Sequence, residues 1–168
     1  GKITKVDIQN PLKIVLFYEG FNTVVTVDNQ LNETQIISFS KSDSTIVASA
    51  IGLASQNRLW VFNSLTMKLG FYDLLKLTET PLAQPFQYSI KDYNSTFNTF
   101  YWVDDNLSYY SCDIFGKISQ LGKVPSYENI QIYPEKGIFY QVGYQLFYYD
   151  LLNGKSNPIK IDEKTFES

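Results

Sequence analysis

Four aspartates are the residues of this sequence most suggestive of chemistry, because each follows a similar β-type segment: Asp28, Asp73, Asp113 and Asp150. A metal site would need several of these carboxylates to converge, and the sequence has no Asp-x-Asp-x-Asp-Gly calcium loop. An aspartate that leaves a strand accepts hydrogen bonds from backbone N–H groups two or three residues further on. We therefore predict that these residues fix turns, and we predict no metal site.

The sequence contains no histidine, which removes Ser-His-Asp and Cys-His nucleophiles and imidazole metal ligands. Cys112 is the only cysteine and has no basic cluster near it in sequence, so we expect a buried, unreactive thiol. Phosphate-binding glycine loops and the GxSxG motif are absent as well. These observations predict a protein that is not an enzyme and that uses no cofactor.

Net charge, apolar run lengths and composition further limit the possible partners and the fold class. The 168 residues carry 14 Lys and Arg against 17 Asp and Glu, a net charge of −3, which argues against a nucleic-acid partner. No run of eighteen apolar residues is present, so we predict no transmembrane segment. The chain is rich in aromatic and β-branched residues, with 13 Tyr and 12 Phe, which favours an all-β fold in a single domain.

The four aspartates belong to an internal repeat. They are separated by 45, 40 and 37 residues, and each is flanked by further short β-type runs. A period near 40 residues with four strands per unit is typical of β-propeller blades. We predict an array of about four four-stranded antiparallel blades within a single domain, 1–168, at approximately 3–39, 46–79, 86–122 and 127–161.

The fourth strands of these blades are predicted at 35–39, 75–77, 117–121 and 158–161. Phe166 lies where another strand would begin, so a part of a larger propeller or an open array is an alternative to a closed ring of four blades. In the third unit we expect Asp104 and Asp105 to form a solvated hairpin tip.

Three stretches carry a resemblance to known proteins: DIQNPLKIVLFY at 7–18, ASQNRLWV at 54–61 and CDIFGK at 112–117. In these the chain is similar to a family of uncharacterised, propeller-like exported proteins of Bacteroidetes. The resemblance implies an extracytoplasmic location, in the periplasm or at the outer membrane. It also implies that a leader and further strands are absent from this sequence, and it transfers no functional residue.

Apolar residues in turns are the candidate binding residues. Phe21, Leu65 and Tyr144 occupy the same hairpin of three units, and Pro125 and Tyr127 lie in a connection between units. In a propeller these two sets of loops emerge at one end, where they would form an apolar patch. Alternatively, each residue folds over its own blade.

The function predicted from these observations is a non-enzymatic scaffold that binds a protein partner, as an accessory component of a bacterial cell-envelope or outer-membrane complex or of secretion machinery. A carbohydrate-binding module that uses loop tyrosines is the first alternative. A hydrolase with a pair of carboxylates is the second, because such pairs have no short sequence signature.

Overall fold

The computed structural model describes residues 1–42 and 45–160, which form an all-β chain of sixteen strands. The strands make four four-stranded antiparallel sheets, and within each sheet the strands lie side by side in chain order. The sheets are the blades of a four-blade propeller. Blade 1 contains β1 (Lys5–Asn10), β2 (Lys13–Tyr18), β3 (Thr23–Val27) and β4 (Glu33–Ser38). Blade 2 contains β5 (Ala48–Ala54), β6 (Arg58–Asn63), β7 (Lys68–Asp73) and β8 (Thr78–Pro81).

The other two blades repeat this arrangement. Blade 3 contains β9 (Ile90–Ser95), β10 (Thr99–Asp104), β11 (Ser108–Asp113) and β12 (Ile118–Lys123). Blade 4 contains β13 (Asn129–Tyr133), β14 (Gly137–Val142), β15 (Gln145–Asp150) and β16 (Lys155–Ile159). Short 3-10 turns at Glu19–Phe21 and Phe39–Lys41 follow β2 and β4.

The second strands show why the blades stack. In β6, Leu59 and Val61 face blade 1, while Trp60 and Phe62 face blade 3, and all four side chains are buried. Successive residues of a strand point to opposite faces of the sheet, so a strand that is apolar at every position needs an apolar neighbour on each side. In other second strands, the aromatic side chains of Phe17, Phe100 and Trp102 are buried in the same way.

Three buried clusters lie between successive blades. The first joins blades 1 and 2, the second blades 2 and 3, and the third blades 3 and 4. Within the part of the chain that the structure describes, no such cluster joins blade 4 to blade 1.

The first strands of the blades line a central channel, and a hydrogen bond between a side chain and the backbone links each to the next. The Leu53 N–H donates to Asp7 Oδ2 at 2.7 Å, which joins blade 2 to blade 1. The Ile51 N–H donates to the Tyr93 hydroxyl at 3.1 Å, and Asn94 Nδ2 donates to the Ile132 carbonyl at 2.9 Å. Backbone groups at the free inner edge of each sheet are thus partly satisfied by the neighbouring blade.

Close packing at the channel also explains the small residues of β5. A Cβ atom at Gly52 would collide with Ser95 Oγ of β9. Ala48 and Ala50 are buried on the two faces of the same strand.

One predicted strand is misplaced. Residues 75–77 lie in a turn, and the fourth strand of blade 2 is Thr78–Pro81. The reason is that the Asp73 carboxylate accepts hydrogen bonds from the N–H groups of Leu75 and Lys76 and holds them out of the sheet. Phe166, where a further strand is predicted to begin, and Ile161, where the last strand is predicted to end, lie outside the described residues.

Two buried tyrosines give a test of the interblade packing. The Tyr109 hydroxyl has no hydrogen-bond partner among the described residues, whereas the Tyr93 hydroxyl accepts the Ile51 N–H. We expect Tyr109→Phe to leave the free energy of unfolding unchanged or to raise it. Tyr93→Phe should lower it by about 1–3 kcal/mol, because it strands a buried donor.

Urea unfolding of the two variants measures this difference. The substitutions are chemically identical, so a loss of stability in Tyr109→Phe equal to that in Tyr93→Phe would show that the Tyr109 hydroxyl is bonded after all.

Candidate interaction surface

Strand direction divides the loops between the two ends of the propeller. The hairpins between second and third strands emerge at the same end as the connections between blades, which we call the connection end. Hydrogen bonds join the two sets: Asn22 Nδ2 donates to the Ile46 carbonyl at 2.6 Å, and the Ser64 N–H donates to the Val47 carbonyl at 2.8 Å. The hairpins between third and fourth strands emerge at the opposite end.

Three of the predicted binding residues are exposed at the connection end. Phe21 is 63% exposed, Leu65 is 59% exposed and Tyr144 is fully exposed. Phe21 and Leu65 lie on adjacent blades, whereas Tyr144 lies on blade 4. In blade 3 the equivalent hairpin carries Leu107, which packs against the third cluster. The exposed apolar tips are therefore interrupted at blade 3.

Tyr127 and Pro125 have a different environment. Both are half-buried in the connection between β12 and β13, and Tyr127 packs against the third cluster. Its hydroxyl donates to Asp92 Oδ2 at 2.6 Å, and the Lys91 ammonium lies 4.6 Å from the centre of its ring. Burial, and then the bond to Asp92, raise the pKa of Tyr127. Its contacts therefore hold the connection against blade 3.

A cleft at the connection end was not predicted as a site. The connection between blades 2 and 3 inserts Phe86 between Phe62 and Trp102, with ring centres 5.0 and 4.4 Å apart respectively. Beside it is a cavity of about 170 Å³, lined by aromatic and aliphatic side chains, two amides and one carboxylate: Gln84, Pro85, Phe86, Gln87, Tyr88, Trp102, Asp104, Tyr110 and Ile118. The prolines of this connection are visible in the sequence and indicate a loop. The sequence does not indicate that aromatic residues of blade 3 lie against that loop.

Asp104 lines this cleft and corrects one expectation, because it is buried rather than solvated. Its Oδ1 accepts hydrogen bonds from the N–H groups of Asn106 and Ser108, both at 2.9 Å. The carboxylate thus fixes the hairpin from inside, and backbone donors occupy the oxygen that would otherwise be free for a ligand.

The structural role of the four repeated aspartates is confirmed. Each Oδ1 accepts at least one backbone N–H at 2.8–3.0 Å, from residues two to four positions further on: Gln30 and Asn32, Leu75 and Lys76, Phe115 and Lys117, and Leu152. The hydrogen bond from the Asn32 side-chain amide, and then the backbone N–H groups, lower the pKa of Asp28, and the N–H groups of Lys76 and Leu75 lower the pKa of Asp73. The turns carry a second set of exposed apolar tips, at the opposite end, that is not predicted from the sequence: Leu75, Phe115 and Leu152.

The central channel holds the main polar cluster. Lys5 Nζ donates to the Tyr93 carbonyl at 3.4 Å and lies 4.9 Å from the centre of the Tyr93 ring. Burial lowers the pKa of Lys5, and the nearby carboxylates of Asp7 and Asp92 partly offset this. Asp7 is bonded to Gln9 and to the Leu53 N–H. The cluster therefore ties blade 1 to its neighbours across a cavity of about 560 Å³.

Cys112 is fully buried in the second cluster, as expected. Burial, and then the adjacent Asp113, raise the pKa of its thiol to about 12.

Among residues 1–42 and 45–160, no three His, Cys, Asp or Glu side chains are grouped so that they could hold a metal ion. In the same residues, no helix is long and apolar enough to cross a membrane.

Comparison with known proteins shows the fold alone. No protein-family model and no curated protein matches the sequence. Among solved structures, virginiamycin B lyase from Staphylococcus aureus matches 94% of this chain and 55% of its own, with a TM-score of 0.58 and 11% identity. The N-terminal domain of Nup159 matches 98% of this chain and 46% of its own, with a TM-score of 0.56 and 12% identity.

A third match has yet another role. The extracellular domain of a one-component system from B. thetaiotaomicron covers 99% of this chain and 23% of its own, with a TM-score of 0.58 and 12% identity. The chain thus spans about half the length, or less, of these larger proteins. Their functions differ, so the shared architecture carries no activity across.

The aspartate turns predict a pH dependence. A carboxyl whose pKa is lowered by folding stabilises the protein above its unfolded value, here 3.8, and that contribution is lost as the pH falls through the folded value. The double variant Asp28→Asn, Asp73→Asn keeps an oxygen acceptor in each turn but cannot titrate. Between about pH 5 and about pH 3 we expect it to lose less stability than the wild type.

Urea midpoints at the two pH values measure the effect, and Glu79→Gln provides a control of opposite sign. Burial raises the pKa of Glu79, so its protonation favours the folded state at low pH. Glu79→Gln should therefore lose more stability on acidification than the wild type. Equal losses in all three proteins would contradict the lowered pKa of Asp28 and Asp73 and the raised pKa of Glu79.

The buried thiol gives a second prediction. With a pKa of about 12, about one thiol in ten thousand is ionised at pH 8, and the group is also shielded from solvent. We expect a thiol reagent to label Cys112 in the native protein many times more slowly than in the protein unfolded in urea. Mass spectrometry of timed samples gives both rates, and equal rates would show an accessible cysteine.

Proposed function

We propose that this chain is a non-enzymatic propeller scaffold that binds a protein partner through its connection end. The observation that carries the proposal is the coincidence of the exposed tips Phe21, Leu65 and Tyr144 with the aromatic cleft at the same end. Large apolar side chains in protruding turns are typical anchors of protein interfaces, and a neighbouring cleft accepts an anchor from the partner.

The shape of the surface suggests how a partner binds. Phe21 and Leu65 stand on adjacent blades, and the cleft beside Phe86 opens between blades 2 and 3, so these features follow one another along the connection end. A partner lying along this line would cover both tips and place one apolar side chain in the cavity of about 170 Å³. Tyr144 would contact the partner from blade 4. Removal of these side chains from water supplies the binding energy.

The proposed setting is a cell-envelope or outer-membrane complex, including secretion machinery, in which the chain is an accessory component. This part of the proposal rests on the resemblance to exported propeller-like proteins.

Carbohydrate binding is a second candidate, because two exposed tyrosines, Tyr88 and Tyr144, lie at the connection end. Tyrosine rings could stack on sugar rings from these positions. The larger aromatic ring in the cleft, Trp102, is buried and offers no free face. The cleft contains one carboxylate, Asp104, among the described residues, whereas glycoside hydrolysis uses a pair. The site geometry therefore gives no support to the hydrolase.

A matched pair of triple variants tests the protein-binding surface. Phe21→Ser, Leu65→Ser, Tyr144→Ser removes the tips at the connection end, and Leu75→Ser, Phe115→Ser, Leu152→Ser removes three exposed apolar tips at the opposite end. The partner is first identified by photo-crosslinking from position 144 in extracts of the source cells, and its Kd is then measured for each purified variant.

We expect the first triple variant to bind at least about tenfold more weakly, a loss of about 1.4 kcal/mol, because it removes several anchors at once. The second should bind as the wild type does. Unchanged binding in the first variant, or an equal loss in the second, would contradict the proposed surface. A glycan array that gives a signal lost in Tyr88→Ala and Tyr144→Ala would favour the carbohydrate alternative instead.

A further inference from the structure

The outward face of blade 1 is an apolar sheet surface with no blade packed on it. The side chains at its centre come from all four strands and are apolar: Val6, Ile8, Ile14, Leu16, Val25 and Ile36. Tyr18, Thr23 and Ser38 lie opposite one another and continue the same face toward the connection end. Val6 is 47% exposed and Ile8 is 71% exposed. A contiguous exposed apolar face of this kind on a folded domain marks an interaction site.

Strand registers show what this face is equivalent to. Leu16 lies opposite Val25, three residues before the turn aspartate, and the residues in the same position of the next three blades are Val61, Trp102 and Tyr140. All three are buried against the preceding blade.

The first strand gives the same result. Val6 pairs with Leu16 as Ile51 pairs with Val61, yet Ile51 is 1% exposed. In blades 2 to 4, the face equivalent to the outward face of blade 1 is therefore the one that receives the preceding blade.

Blade 4 has the complementary free face. Val15, Trp60 and Tyr101 hold the same register position in blades 1 to 3, and each is buried against the following blade. In blade 4 this position is Phe139, which is 37% exposed and whose ring lies 5.1 Å from that of Tyr148. We call the blade 1 face that contains Val6 and Leu16 the receiving face, because its equivalents pack on the preceding blade. We call the blade 4 face that contains Phe139 the donating face, because its equivalents pack on the following blade.

We propose that the receiving face of blade 1 binds blade 4 of a second copy of this chain, and that two copies close head-to-tail into an eight-blade ring. The contact would continue the packing that already joins blades 1 to 2, 2 to 3 and 3 to 4. The four blades match about half of larger propellers, which is the share that one of two copies would supply to an eight-blade ring. Eight blades lie within the usual range for propellers.

Symmetry follows from the two faces. A blade 1 face set against another blade 1 face would bring two receiving surfaces together, which occurs nowhere within the chain. A head-to-tail arrangement uses each kind of face once per copy, and with two copies the interface forms twice around a twofold axis along the channel. The polar channel cluster of Lys5 and Asp7 would then lie inside a closed ring.

The test is the mass of the 168-residue chain in solution. Sedimentation equilibrium over a range of concentrations should give twice 19.3 kDa for the wild type. Ile8→Lys on the receiving face and Phe139→Glu on the donating face should each weaken dimerisation at least tenfold. Both sites are exposed in a single copy, so these variants should remain folded, which circular dichroism verifies. Leu75→Lys, in an exposed turn away from both faces, is the control and should dimerise normally.

Mixing gives the decisive result. In a mixed dimer of Ile8→Lys with Phe139→Glu, one interface is wild type on both sides and the other brings the lysine and the glutamate together. Dimers should therefore return on mixing. A wild-type monomer at all concentrations, a species larger than a dimer, or a dimer sensitive to only one of the two variants would overturn the proposal.

Discussion

A blade of this protein is a sheet with two apolar faces, and that single constraint governs the rest of the structure. An isolated four-stranded sheet of this kind leaves both apolar faces in water, so each blade is stabilised by packing on its neighbours. Blade 2 shows the requirement in full, since Leu59 and Val61 are buried on one side and Trp60 and Phe62 on the other. Blade 3 meets it in the same way.

The inner edges of the sheets add a polar requirement to the apolar one. A first strand has a free row of backbone donors and acceptors along the channel, and Asp7, Tyr93 and Asn94 each reach across to one of them. These bonds set the register of one blade against the next, where apolar packing alone would allow sliding. Tyr109 shows the contrast, because its hydroxyl is buried in the third cluster without a partner among the described residues.

The sequence was sufficient for the repeat, the strand number and the turn role of the aspartates, because each depends on local patterns of period two and on side chains that bond their own turn. The sequence was less informative about features that depend on contacts between residues far apart in the chain. The cleft beside Phe86 depends on a connection of one blade meeting Trp102 of the next, and no spacing in the sequence signals that contact. The predicted strand at 75–77 is wrong for a local reason. The Asp73 carboxylate accepts the backbone N–H groups of Leu75 and Lys76 and holds this segment in a turn.

In the aspartate turns, the backbone geometry does not depend on the side chain exposed at the tip. The carboxylate holds the backbone two residues further on through its N–H, and this bond is indifferent to the side chain at that position. The four turns accordingly carry Gln30, Leu75, Phe115 and Leu152 in the same place. The side chain at this position can therefore change from polar to aliphatic to aromatic while the strands on either side of the turn stay the same.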